Sequence, residues 1–89
     1  MTVYVDRPKH RLGRMVMCHL LADNVDELHA MADKLCLRRA WHQTCPVPHY
    51  DICKAKRQAA IRLGATEVRM HELAVIVRRL KSGQVGQAP

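Results

Sequence analysis

Met15-Val16-Met17-Cys18-His19-Leu20-Leu21-Ala22, with Asp23-Asn24-Val25-Asp26-Glu27-Leu28 after it, is the stretch that decides how this chain folds. The first eight residues are apolar except for His19. A short apolar run of that kind fits a strand covered on both faces. Asn24 and, three residues later, Glu27 form a capping-box pattern. Val25, Leu28, Ala32 and Leu35 then recur at helical spacing, which predicts a helix over Val25–Leu35.

Working outward, Thr2–Val5 is β-branched and aromatic and reads as a strand. Asp6–Arg14 holds Pro8 and Gly13 and reads as a polar loop. Downstream, Arg39–Gln43 reads as a second buried strand around Trp41, and Pro46 and Pro48 fix a loop over Thr44–Pro48. From about Asp51 the spacing of Ile52, Ala55, Ala59, Ala60 and Leu63 predicts a helix, ended by Gly64 in the left-handed conformation. Ala65–Val68 reads as a third short strand. Met70, Leu73, Ala74, Val77 and Leu80 mark a last helix, with Arg78, Arg79 and Lys81 suited to its negative end. The order β-β-α-β-α-β-α predicts a single small α/β domain over 1–81, with 82–89 as a flexible C-terminal tail. Its expected architecture is a mostly parallel sheet with helices packed on it, Met15–Ala22 and Arg39–Gln43 being adjacent parallel strands.

Charge bounds the partners. Fifteen Lys and Arg against eight Asp and Glu give +7 on 89 residues. An acidic segment over 23–34 interrupts an otherwise basic surface. That balance suits nucleic acid or a phosphorylated ligand, because neutralising phosphates releases counterions. A protein partner docking between the acidic helix and the basic surface is the alternative. No apolar run approaches the roughly 18–20 residues of a membrane span, so the expectation is a cytoplasmic protein without membrane contact. Cys18, Cys36, Cys45 and Cys53 form no C-x-x-C pair and are expected as free, reduced thiols without stoichiometric zinc. The spacing Cys45-x3-His49-x3-Cys53 is stiffened by two prolines and lacks a tight metal knuckle.

In parallel sheets, ligands sit beyond the carboxyl ends of the strands. That rule gathers Asp6, Asp23 and the turn His49-Tyr50-Asp51 into one candidate site, with His19 as a further imidazole and Arg14, Lys54 and Arg57 around the rim. Carboxylates there can hold a divalent cation, and a histidine can serve as a general base, as in a metal-dependent phosphoesterase or nuclease. The structural alternative is that each Asp caps its own helix or turn and the histidines scatter. Without further information no cofactor is assigned.

Several segments carry a family resemblance. They are Met1-Thr2-Val3-Tyr4-Val5-Asp6, Cys18-His19-Leu20-Leu21-Ala22-Asp23, Glu27-Leu28-His29-Ala30-Met31-Ala32 and Pro48-His49-Tyr50-Asp51-Ile52, with Gly13-Arg14, Trp41 and Gly64-Ala65. Together they resemble a bacterial and phage family known as domain of unknown function family 4031, over roughly residues 1–75. The resemblance implies a small domain found in bacteria and phages, and no activity. Two positions depart from the family pattern: Cys36 stands where a helix-ending glycine is usual, and His42 where Phe follows the tryptophan.

Overall fold

The computed structural model describes residues 2–7, 10–12, 15–45 and 47–87. Its strands are β1 (Val3–Val5), β2 (His10–Leu12), β3 (Met15–Ala22), β4 (Tyr50–Cys53) and β5 (Thr66–Glu67). Its α-helices are α1 (Val25–Lys34), α2 (Lys54–Arg62) and α3 (Met70–Gln87). A 3₁₀ turn spans Arg39–Trp41. The helix therefore carries the backbone past Ser82, where the sequence marks a tail.

β3 is the hub. β1 pairs with its second half (Val5↔Leu20, Val3↔Ala22) and β2 with its first (His10↔Met17), both antiparallel. β4 also pairs antiparallel, from Met17↔Cys53 to Leu20↔Tyr50. Because Met17 and Leu20 each have two partners, β4 must occupy the opposite edge from β1 and β2. β5 adds a short parallel pairing to β1. The result is a mixed, mostly antiparallel sheet, not the mostly parallel one expected from strands alternating with helices.

Three segments differ from the sequence reading for related reasons. Both edges of β3 are filled, so Arg39–Gln43 cannot join it; the segment forms the 3₁₀ turn, and Trp41 is 51% exposed. Tyr50–Cys53 is a strand where the helical spacing began too early. Tyr50 and Ile52 point inward and Asp51 and Cys53 outward, a two-residue period hidden by the alanines that follow. Part of the expected loop after Asp6 is β2.

The pleat sorts side chains onto two faces. Cys18, Leu20, Ala22, Tyr50 and Ile52 pack with Leu28, Met31 and Ala32 of α1 and Ala60 of α2 into one core. α1 begins as read: Asn24 accepts from the Glu27 backbone N–H at 2.8 Å. Both central helices end in the same six-residue closure. In α2, Ala65 N–H bonds Ala60 O (2.9 Å) and Gly64 N–H bonds Ile61 O (3.0 Å), with Gly64 at φ +106°. In α1, Leu37 N–H bonds Ala32 O (2.9 Å) and Cys36 N–H bonds Asp33 O (3.1 Å), with Cys36 at φ +59°. Glycine takes this left-handed position without steric cost, whereas a residue with a Cβ is strained there.

Cys36→Gly is therefore expected to stabilise the domain by about 1 kcal/mol, raising the thermal midpoint by roughly 4–8 °C. Urea and thermal denaturation measure it; an unchanged or lowered midpoint would show that Cys36 bears no strain.

Candidate functional site

On the face away from α1 and α2, register alone brings the first pair together: His19 of β3 lies directly across from Asp51 of β4. Asp6 continues β1 opposite His19, its N–H bonding His19 O at 3.3 Å. Its carboxylate grips the same residue twice. Oδ1 accepts the His19 backbone N–H at 2.6 Å, and Oδ2 accepts from the ring Nδ1 at 2.7 Å. A carboxylate can only accept, so Nδ1 carries a proton and Nε2 faces away from Asp6. His49 enters from the loop before β4. Its ring is buried, and its Nδ1 donates to the Val47 carbonyl at 2.8 Å, which again turns Nε2 outward.

Both Nε2 atoms converge on Asp51 Oδ1, His19 at 3.7 Å and His49 at 3.9 Å, with the two rings 5.5 Å apart. Gln43 Nε2 donates to the other oxygen, Asp51 Oδ2, at 2.8 Å. One ligand atom from each of His19, His49 and Asp51 lies within 4.8 Å of the others. Ligand atoms about 2.1 Å from a tetrahedral ion stand about 3.4 Å from one another, so the two histidine–aspartate separations are a few tenths of an ångström too wide for a transition metal, and side-chain adjustment of up to about 1 Å would close all three on one ion. His19 and Asp51 are about one-third open to solvent, which leaves a side for water or substrate.

Around this cluster, Arg57 acts as a strut. It is buried, donating from Nε to the Asp6 carbonyl (2.7 Å) and from Nη2 to Glu67 (2.9 Å). It thus fixes the turn that presents Asp6 and is not a rim residue as the sequence suggested. Lys54 is exposed at the start of α2. Arg14 lies outside the described residues.

Tyr50 is fully buried on the core face and is unavailable to a ligand on this one. Its hydroxyl lies 2.8 Å from His29 Nδ1, and His42 packs on both rings, 4.6 Å from His29 and 5.4 Å from Tyr50. Burial pushes the Tyr50 phenol up, and burial followed by the neighbouring imidazoles pushes His42 down.

Asp23 goes elsewhere. It ends β3 beside Thr2, at the opposite end of β1 from Asp6. It accepts from the Thr2 N–H (2.9 Å), the Tyr4 hydroxyl (2.7 Å) and Arg79 of α3 (2.7 Å). The Tyr4 bond foremost holds its carboxyl below the usual range. The shared site therefore comprises Asp6, His19, His49 and Asp51 and excludes Asp23. The carboxyl-end rule fails because the sheet is antiparallel, and cross-strand register does the gathering instead. Neither Asp51 nor Asp23 caps a helix: Asn24 caps α1, and Cys53, without a side-chain bond, precedes α2. Sequence reasoning missed Gln43 as a support, because its role depends on the long-range Gln43↔His49 bridge.

All four cysteines are free thiols, and none belongs to the cluster. Among the described residues no helix is long and apolar enough to cross a membrane.

Fold and site together define a small mixed-sheet α/β domain with a histidine–carboxylate cluster on the sheet face away from α1 and α2. The chain belongs to the family described as "Protein of unknown function (DUF4031)", whose model matches residues 3–80. No curated protein and no solved structure matches it.

Two measurements follow from this geometry. The Asp6 hydrogen bond is the main cause raising the His19 pKa above 6.5. Stability from that pair is full below the unfolded value near 6.5 and fades as pH rises through the raised folded value. In metal-free protein, Asp6→Asn should lower the His19 pKa in an NMR titration and remove this loss of stability above pH 6.5. An unmoved pKa would contradict the geometry. Burial pushes the Cys18 thiol up to about 12, so a thiol reagent should modify exposed Cys36 and Cys45 promptly and Cys18 only on unfolding. Prompt labelling of Cys18 would contradict its burial.

Proposed function

We propose that this domain holds one divalent transition-metal ion on His19, His49 and Asp51 and uses it to act on a phosphate ester. The observation that carries the reading is the paired outer support. Each imidazole donates an Nδ1–H hydrogen bond to a fixed acceptor, the Asp6 carboxylate or the Val47 carbonyl, and so leaves Nε2 as the atom on the side of Asp51 Oδ1. Metal-binding histidines are oriented in this way, through a carboxylate or a backbone carbonyl on the second nitrogen. Two imidazoles and one carboxylate suit zinc or another borderline dication and leave coordination positions open.

Such an ion lowers the pKa of bound water to about 7 and polarises a phosphoryl oxygen. The residues supply the rest. Asp6 makes His19 a better ligand, Gln43 orients Asp51, and Arg57 holds the Asp6 turn in place. The +7 charge favours an anionic substrate. The site differs from the cysteine set weighed on the sequence and draws on a dication that the sequence alone did not assign. In the absence of an ion, protons compete for the same nitrogens, so metal affinity should rise with pH through the His19 titration.

Chelator-stripped protein titrated with Zn²⁺ and Co²⁺ is the test. About one ion per chain should bind, with tetrahedral Co²⁺ absorption and a raised thermal midpoint. His49→Ala and Asp51→Ala should each lose at least 100-fold in affinity, and Asp6→Asn about tenfold. A flat titration, or one indifferent to His49 and Asp51, would sink the reading. Hydrolysis of a phosphodiester that is lost with chelator and restored by metal would establish the reaction.

A further inference from the structure

Trp41 is the tryptophan that the sequence pattern assigns to the core and the fold puts outside, 51% exposed on the 3₁₀ turn. The chain contains one tryptophan and no phenylalanine, so leaving this ring half in water sacrifices a large share of its aromatic surface. Its surroundings are cationic. The Arg38 guanidinium lies 5.9 Å from the ring centroid, and Arg39 is exposed, with only a long 3.5 Å contact to the equally exposed Asp33. Such a surface pair contributes little and leaves Arg39 available to an anion.

The backbone that carries the ring is held in place. Trp41 N–H bonds Arg38 O and His42 N–H bonds Arg39 O, at 3.0 and 3.1 Å. The next side chain, His42, packs against His29 and Tyr50. The residue after it, Gln43, makes two backbone bonds to His49 (2.9 and 2.8 Å) and grips Asp51. Two residues of chain reach at most about 7 Å, so the exposed ring and the metal-ligand support belong to one short, rigid segment.

We infer that Trp41, flanked by Arg38 and Arg39, is a stacking platform for a nucleobase whose phosphate reaches the His19–His49–Asp51 centre. An aromatic face beside guanidinium groups is how proteins hold bases and phosphates without reading sequence. Aromatic stacking accepts any base, consistent with a chain that has no helix-turn-helix or zinc-finger signature. The phosphate end rests on the metal-centre reading; the stacking end is measured separately. The shared chemistry is a base joined to a phosphate, carried by a free nucleotide or a single strand.

Trp41 alone supplies tryptophan emission, so fluorescence of the full chain reports directly on this ring. The probes are dTMP and a twelve-residue oligothymidylate at low salt, each with and without Zn²⁺. Saturable quenching is expected. Comparable affinity for dTMP identifies a nucleotide site, and quenching by the oligomer alone identifies a single-strand site. In polarisation with the labelled oligomer or nucleotide, Trp41→Ala should bind about tenfold more weakly. Trp41→Phe should stay within about threefold of the parent, since a phenyl ring still stacks. Circular dichroism should show both variants folded, the ring being half exposed. Silent emission with both probes, or affinity unmoved by Trp41→Ala, overturns the inference even if zinc binds at His49 and Asp51. Quenching without any zinc binding leaves the platform standing and removes the metal centre.

Discussion

Strand β3 is hydrogen-bonded along both edges, and the two-residue period of its side chains governs nearly everything else in the molecule. Cys18, Leu20 and Ala22 face α1 and α2 and close the core. His19 necessarily faces the other way, where β4 offers Asp51 in register and β1 offers Asp6. A one-residue slip of β4 would bury a carboxylate among leucines and expose Tyr50 and Ile52, so the hydrophobic core and the polar cluster fix the register together. The apolar face thereby supplies the precision that the polar face requires.

Electrostatically, the cluster is built in layers. The Arg57 guanidinium is buried between the Asp6 carbonyl and Glu67, so the charge of the strut is spent on the scaffold. Asp6 in turn spans the backbone and ring of His19, and a carboxylate with two such bonds has little freedom to rotate. Gln43 does the same for Asp51 from the loop side. The side chains of the cluster are thus held by partners one step further in, which restricts their rotation. Asp23, Tyr4 and Arg79 form a separate anchor that ties α3 to the far end of β1.

The segment between α1 and β4 binds these parts into one surface. It begins at a strained left-handed cysteine, passes through the exposed Trp41, stacks His42 on Tyr50, and ends by pairing Gln43 with His49. With both edges of β3 occupied, this segment crosses outside β3, burying Leu37 and Val47 while leaving Trp41 half in solvent.

Read alone, the sequence determined the elements whose causes are local. The capping pattern at Asn24 placed the start of α1. The apolar run, interrupted only by His19, delimited β3 at Met15–Ala22, and Gly64 marked the end of α2. Asp6, His19, His49 and Asp51 were legible as candidates because ionisable groups beside apolar runs are few in so short a chain. Tertiary structure alone decided which of them meet. Strand direction and register are long-range properties: Asp6 lies next to His19, and His19 next to Asp51, only because β1 and β4 run antiparallel to β3. The same pairing left Asp23 at the other end of β1, turned Arg57 inward and kept Trp41 out of the sheet. Local periodicity records which face a side chain prefers, whereas the neighbour across that face is set by hydrogen bonds between residues 13 to 36 positions apart.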